Sequence, residues 1–246
     1  MRVENNSEQK ISQGEPEKTR KKHHRLRNFL IVLGALIVVL VLAIGYSGLY
    51  KIPLVTSAMG ADKPKDLGVE TSEEALESLK EKIPMKITGE YVDFGQTDPS
   101  RLFSGSISVD AKTTDEEITS WLQRFQGEDP IFSNVQVKYF PGGMEISGQL
   151  NKYIKAPVYV KVGVTQVLDK IELNLEKATL GRIPVPGGYL DQAEDWFEKK
   201  VNHLIEVIPG LSLEEYEIRE GYSYFKGTYP AEVKKSKMGL SALLAL

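Results

Sequence analysis

Along the chain the spacing of apolar positions changes from continuous to helical to alternating, and each change marks an element. From Phe29 to Tyr50 there are 22 residues without a charge, dominated by Leu, Ile, Val and Ala. A helix of that length covers about 33 Å, close to the roughly 30 Å hydrocarbon core of a bilayer, so the pattern predicts a transmembrane helix over residues 28–50. Residues 51–70 carry Pro53, Gly60, Pro64 and Gly68 without a period and read as a linker. Thr71 with Glu74 forms a capping-box pattern, and Ala75, Leu76, Leu79 and Ile83 follow at helical spacing before Pro84. Ile107, Val109 and Ala111 then alternate as in a strand. Thr113 or Thr114 can cap the next helix through Glu116 or Glu117, and Ile118, Trp121, Leu122 and Phe125 fall on one face of it.

The remainder reads mostly as strands. Val135, Val137 and Tyr139, the turn Pro141-Gly142-Gly143, and Met144, Ile146, Gly148 and Leu150 spell a hairpin. Val158, Val160, Val162 and Val164 put four β-branched residues on one face, and Ile171, Leu173 and Leu175 make another strand. Beyond Pro186-Gly187-Gly188, a helix is expected from Leu190 to Val207, with Leu190, Ala193, Phe197, Val201, Leu204, Ile205 and Ile208 inclined to one side. Tyr216 and Ile218, with Tyr222 and Tyr224 or Phe225, close a second hairpin.

The two hairpins match at a shift of 79 residues, which pairs Pro130 with Pro209, Ser133 with Ser212, Gly142 with Gly221 and Gly148 with Gly227. Trp121 pairs with Trp196 at a shift of 75, which places a length difference between helix and hairpin. The fold expected is therefore α+β: an N-terminal transmembrane helix, then an extracytoplasmic domain over 71–232 with a curved antiparallel sheet wrapped on amphipathic helices and an internal duplication. Residues 233–246 are left as a tail, apolar after Lys234, Lys235 and Lys237 but too short to span a bilayer.

Charge gives that layout a direction. Residues 1–27 hold eight Lys/Arg against four Asp/Glu and are expected to be disordered in the cytoplasm, whereas residues 51–246 hold 23 against 30. Lys18, Arg20, Lys21, Lys22, Arg25 and Arg27 stand just before the apolar run, so the positive-inside rule puts the N-terminus in the cytoplasm and the domain outside, as a single-pass protein of the cell membrane. A cleaved signal peptide is the competing reading, since Ala58-Met59-Gly60 loosely resembles a cleavage site. The long charged segment and the length of the apolar run favour an uncleaved anchor. The acidic domain argues against a nucleic-acid partner.

The chain has no cysteine and only His23, His24 and His203, which excludes thiolate metal sites and a cysteine nucleophile and leaves no expected metal or cofactor. No phosphate-binding glycine loop and no G-x-S-x-G elbow occurs. The acidic clusters, among them Asp115-Glu116-Glu117 and Glu194-Asp195, suit first helical turns better than paired acid-base chemistry. No catalytic residue is expected, and the protein reads as a non-enzyme.

What remains is a sheet and helices behind an anchor, an arrangement that can shelter an acyl chain. A chain of about 16 carbons loses on the order of 12 kcal/mol on leaving apolar surroundings, at about 0.8 kcal/mol per methylene, so a carrier needs such a shelter. Trp121, Phe125, Val160, Val162, Trp196, Phe197, Leu204 and Ile205 are the candidate groove lining. Residues 156–202 and Ile208–Pro230 resemble the C-terminal part of the LmeA-like bacterial phospholipid-binding family of the tubular lipid-binding (TULIP) superfamily. The matching features are the strand ending near Gly181, Ile183-Pro184-Val185-Pro186, the amphipathic helix, Pro209-Gly210-Leu211 and the hairpin around Gly221. The resemblance implies a lipid-binding protein of the bacterial envelope, with a phospholipid or other acyl-chain ligand and the membrane as partners. The alternative is a tethered scaffold module with a filled core that holds a protein partner.

Overall fold

The computed structural model describes residues 20–49, 56, 61–92, 97–128, 130–152 and 154–236, with side chains in the first helix described from Val32 onward. The first 19 residues, most of the linker and the tail from 237 lie outside the described residues. The chain divides into two units, Met1–Leu42 and Ala43–Leu246. Helix α1 runs Arg20–Ser47, so the basic residues expected to be disordered from Arg20 on continue the helix instead. Arg, Lys and Leu are good helix formers, and nothing between 20 and 28 breaks the turn. Among the described residues no helix is long and apolar enough to cross a membrane; Phe29, Leu30, Ile31 and Tyr50 of the uncharged run lie outside the described side chains. Within α1, every residue from Val32 to Ile44 is exposed, on all sides of the helix.

The second unit is α+β. Its five-stranded antiparallel sheet has the order β4-β5-β6-β7-β8, formed by Phe132–Phe140, Gly143–Leu150, Pro157–Val167, Lys170–Leu180 and Ile183–Pro184. A three-stranded antiparallel sheet has the order β3-β10-β9, from Ile107–Thr114, Tyr222–Tyr229 and Ser212–Arg219. A third small sheet sets β11 (Glu232–Lys235) between β1 (Lys86–Tyr91) and β2 (Phe103–Ser104), which carries folded structure past the expected boundary at 232. The helices are α2 (Glu73–Lys82), α3 (Pro99–Leu102), α4 (Asp115–Arg124) and α5 (Gly187–Val207). The main core joins the two larger sheets through Val137, Tyr139, Val162, Val164, Ile171 and Ile218.

Local signals place these elements with small shifts. Ser72, one residue after the expected Thr71, caps α2 by accepting from the Ala75 N–H. Of the two threonines open at the next helix, Thr114 forms the capping box with Glu117. The linker reading fails from Ala61 on: Ala61 and Leu67 are buried, the Leu67 N–H donates to Gln136 at 2.7 Å, and Lys65 pairs with Glu145 at 3.3 Å across the outer face of β5.

The largest departure concerns the two amphipathic helices. They do not lie beneath the five-stranded sheet: α4 closes its β4 edge, and α5 closes the stretch of β7 that the two-residue β8 leaves unpaired. On β4, the Tyr139 N–H donates to Asp115 at 2.8 Å and the Val137 N–H to the Thr119 hydroxyl at 3.0 Å, while the Gln123 amide donates to the Val135 carbonyl at 3.0 Å. On β7, the N–H groups of Leu175, Leu173 and Ile171 donate to Glu194, Glu198 and Asn202 at 2.6, 3.1 and 2.8 Å. Four helical residues rise about 6 Å and two strand residues about 6.7 Å, so side chains at i, i+4 and i+8 meet every second outward amide. Edge amides left bare would invite pairing with another chain. Asp115, Thr119 and Gln123 each stand 79 residues before Glu194, Glu198 and Asn202, the spacing that also relates β5 to β10. The change to 75 expected from the tryptophans is therefore not needed; Trp121 and Trp196 occupy different helix positions.

Candidate functional site: a cavity between the three-stranded sheet and two helices

Odd positions of β3 face inward, so Val109, Ala111 and Thr113 present a small surface where larger side chains would close the space. Helix α2 lies across this surface and α4 beside it, and between them is a cavity of about 430 Å³. Its walls include Leu79 and Ile83 of α2, Ile118, Trp121 and Phe125 of α4, and Phe225 and Tyr229 of β10. The volume falls within the range of about 300–1,000 Å³ typical of small-molecule sites. Trp121 and Phe125 stack at 5.8 Å with a 58° tilt, and Phe225 and Tyr229 at 4.5 Å and 42°.

One wall is polar yet uncharged. Thr113 Oγ1 and Ser223 Oγ lie 2.7 Å apart, and Tyr139 and Tyr216 line the cavity with them. Burial pushes all the nearby phenols up, Tyr229 to about 12, with the neighbouring Tyr139 adding to it. Tyr139 rises through burial against the pull of Ser223 and Thr113, and Tyr216 rises for the same reason. The phenols therefore stay protonated at neutral pH. Lys80 is the single charged residue of the lining, and it pairs with Glu77 at 2.6 Å.

The roof is tied down by one buried carboxylate. Glu117, 5% exposed, accepts from Ser78 and Lys82 of α2, both at 2.6 Å, and from the Thr114 N–H at 2.9 Å. Burial acts to raise its pKa, but Lys82, Ser78 and the Thr114 amide together hold it below the ordinary carboxylate range. Ser72 adds a second tie, donating to Glu116 at 2.7 Å.

The eight sequence candidates are dispersed. Trp121 and Phe125 line the cavity. Val160, Val162 and Ile205 pack in the main core, and Leu204 joins a satellite cluster with Leu102, Phe103 and Ile208. Trp196 and Phe197 lie on the outward face of α5, 50% and 40% exposed. Sequence reasoning missed the lining from β3 and β10, although Ala111 and Thr113, small or hydroxylated at inward positions of an alternating strand, are the signal for an unfilled interior. Among the described residues no group of three or more acidic or histidine side chains could hold a metal, and His203 is exposed on α5. The arrangement can hold an apolar body against a neutral hydroxyl cluster; it presents no nucleophile-base pair. In comparisons with known proteins, no family model, no curated protein and no solved structure matches this chain.

Proposed function

We propose that this chain is a single-pass membrane protein of the bacterial envelope whose extracytoplasmic domain binds a lipid or other elongated apolar ligand without catalysing a reaction. The observation that carries the reading is the cavity of about 430 Å³ under α2, walled by aliphatic and aromatic side chains with a neutral hydroxyl group of residues at one side. An unfilled apolar volume of this size forgoes packing that would otherwise stabilise the fold, at about 24 cal/mol per Å³ for engineered cavities, so a ligand is its natural complement. The anchor is α1: a helix apolar on every side, such as Val32–Ile44, needs either a protein core or a bilayer around it. The basic run from Lys18 to Arg27 sets its N-terminus in the cytoplasm. The resemblance of residues 156–230 to LmeA-like proteins points to the same ligand class.

The test uses the full chain purified in detergent, with bound small molecules identified by mass spectrometry after extraction. A Trp196→Phe variant leaves Trp121 as the sole tryptophan, and a brominated fatty acid entering the cavity should quench it. Ala111→Phe, which fills the cavity from β3, should abolish both the retained lipid and the quenching while leaving the circular dichroism spectrum unchanged. No extractable lipid together with unquenched Trp121 would sink the ligand reading and favour the tethered scaffold.

A further inference from the structure

We infer that the cavity under α2 selects a lipid with a single acyl chain and an uncharged, oxygen-bearing head, of the kind found in a fatty ester, and turns away two-chain phospholipids and anionic heads. This rests on the ligand-binding reading above and narrows it to one chemical class.

Size sets the first limit. A methylene takes close to the volume share of a water, on the order of 30 Å³, so a space of about 430 Å³ holds about 14 such groups. That is one chain. A phospholipid brings two, and its glycerol and phosphate besides.

The lining then divides the space chemically. Its hydroxyl residues, Thr113, Tyr139, Tyr216, Ser223 and Tyr229, all come from strands: β3, β4, β9 and β10. Helices α2 and α4 contribute Leu79, Ile118 and Trp121, with Ile83 and Phe125 at their C-caps. A ligand that meets both sides is amphipathic, with its chain under the helices and its head against the strands. Among the described residues no carboxylate lines the cavity, and its one cation, Lys80, is exposed and already paired with Glu77. A carboxylate or phosphate carried into this space would give up its water without gaining a counter-charge, which strongly disfavours it. A neutral carbonyl loses far less and needs only a donor.

Tyr229 supplies that donor. Its ring packs on Phe225 at 4.5 Å, and among the described residues its phenol has no hydrogen-bond partner. Thr113 and Ser223, by contrast, satisfy each other at 2.7 Å. Because burial and Tyr139 push the Tyr229 phenol up to about 12, it keeps its proton at neutral pH and is available to donate. A buried donor without an acceptor costs stability, and an ester carbonyl placed against it removes that cost.

The experiment places the full chain, carrying Trp196→Phe so that Trp121 is the sole tryptophan, in nanodiscs of phosphatidylcholine and follows Trp121 fluorescence. The probes are dibrominated palmitic acid methyl ester, dibrominated palmitic acid, dibrominated hexadecane and, as the disc lipid itself, brominated phosphatidylcholine. The methyl ester should quench Trp121, whereas discs built wholly of brominated phosphatidylcholine should leave it bright. At alkaline pH the fatty acid should need on the order of tenfold more than the ester for the same quenching. That gap should narrow as falling pH protonates the acid, whose pKa the bilayer raises; the ester does not titrate and so marks any change in the protein itself. Tyr229→Phe keeps the ring beside Phe225 and removes only the donor, so it should weaken the ester by about fivefold and leave hexadecane unchanged. Hexadecane thus separates loss of the hydrogen bond from damage to the cavity. Quenching by brominated phosphatidylcholine equal to that by the ester, equal response to acid and ester at alkaline pH, or an unchanged ratio of ester to hexadecane in Tyr229→Phe each overturns the proposal and leaves a lipid-binding cavity standing. Silence from every probe overturns both readings.

Discussion

Helices α4 and α5 hold opposite edges of one sheet by side chains four residues apart, yet one is roofed and the other is bare. On α4, Glu117, Thr119 and Ser120 are buried, and Trp121 with Phe125 faces the cavity that α2 covers. On α5 no residue is buried, and Tyr189, Trp196 and Phe197 are exposed. The difference arises from what precedes each unit: α2 precedes the first and folds over it, while the second is preceded by strands that remain in the sheet. An amphipathic stripe with aromatics is thus an incomplete instruction. Whether it lines a cavity, fills a core or meets solvent depends on an element elsewhere in the chain.

The strongest way to break this comparison is at the edge ladder of α4. The Thr119 hydroxyl, 0% exposed, accepts from the Val137 N–H and donates to the Val137 carbonyl. Thr119→Val keeps the shape and leaves two backbone groups unpaired where water does not reach, at roughly 1–3 kcal/mol each, so a loss of about 3 kcal/mol is expected. The urea midpoint of the full chain in detergent, with an unchanged slope, measures it. A loss under about 1 kcal/mol would mean that the β4 edge finds another partner.

Next comes the tie between roof and helix. Glu117→Gln should lower stability at neutral pH by about 2 kcal/mol, since it weakens charge-assisted bonds from Lys82 and Ser78. The pH dependence has a definite sign. Glu117 has a folded pKa below its ordinary value, so the unfolded chain takes up the proton first. Its contribution is complete above the ordinary carboxylate range and is lost as the pH falls through the lower folded value. Asp115 opposes this in part: burial raises its pKa against the Tyr139 amide and Lys138, so its penalty at neutral pH is relieved on acidification. Acid titration of the variant should show a flatter loss below the carboxylate range than the wild type; identical curves would remove Glu117 as the acid-sensitive tie.

Much of this layout is legible in the residues. Alternating Val158 to Val164 gives β6, Pro141-Gly142-Gly143 gives the turn of the first hairpin, and Thr114 with Glu117 gives the start of α4, because each signal is local and each is satisfied within a few residues. The edge ladders are not legible in that way. Asp115, Thr119 and Gln123 read as ordinary polar helix positions, and only the strand amides of Val137 and Tyr139, which no pattern names, show what they are for. The cavity is half legible: Trp121 and Phe125 stand out, but their counterpart is an absence, the small Ala111 across the space. Leu204 and Ile205 share the helical stripe of Phe197 yet pack into separate clusters, because α5 lies along the edge of the sheet and splits its apolar side between them.

On α5 the same kind of ladder should matter less. The Asn202 amide accepts from the Ile171 N–H and donates to the Ile171 carbonyl, both at 2.8 Å, which copies the double bond of Thr119 to Val137. Asn202 is only half-buried, so water can replace the lost partner. Asn202→Ala is expected to lower the unfolding free energy by about 1 kcal/mol, against about 3 for Thr119→Val. Equal losses at the two sites would show that both edges are equally dry.

The smallest effect sharpens the contrast from the outside. Trp196 is half exposed and packs edge-on against Phe197 at 4.8 Å, a contact that solvent already borders. Trp196→Ser should change stability by under about 0.5 kcal/mol, as expected at a surface position without special partners. The spectroscopic consequence is larger than the energetic one. With Trp121→Phe, the remaining Trp196 should emit at longer wavelength and be quenched by iodide in detergent solution, while Trp121, left alone by Trp196→Phe, should emit at shorter wavelength and resist iodide. The two tryptophans then report separately on a bare helix face and a roofed one. A Trp196 shielded from iodide in a monodisperse sample would mean that the outward face of α5 is covered by a second copy or a bound amphiphile, and the asymmetry between the two helices would belong to the isolated chain alone.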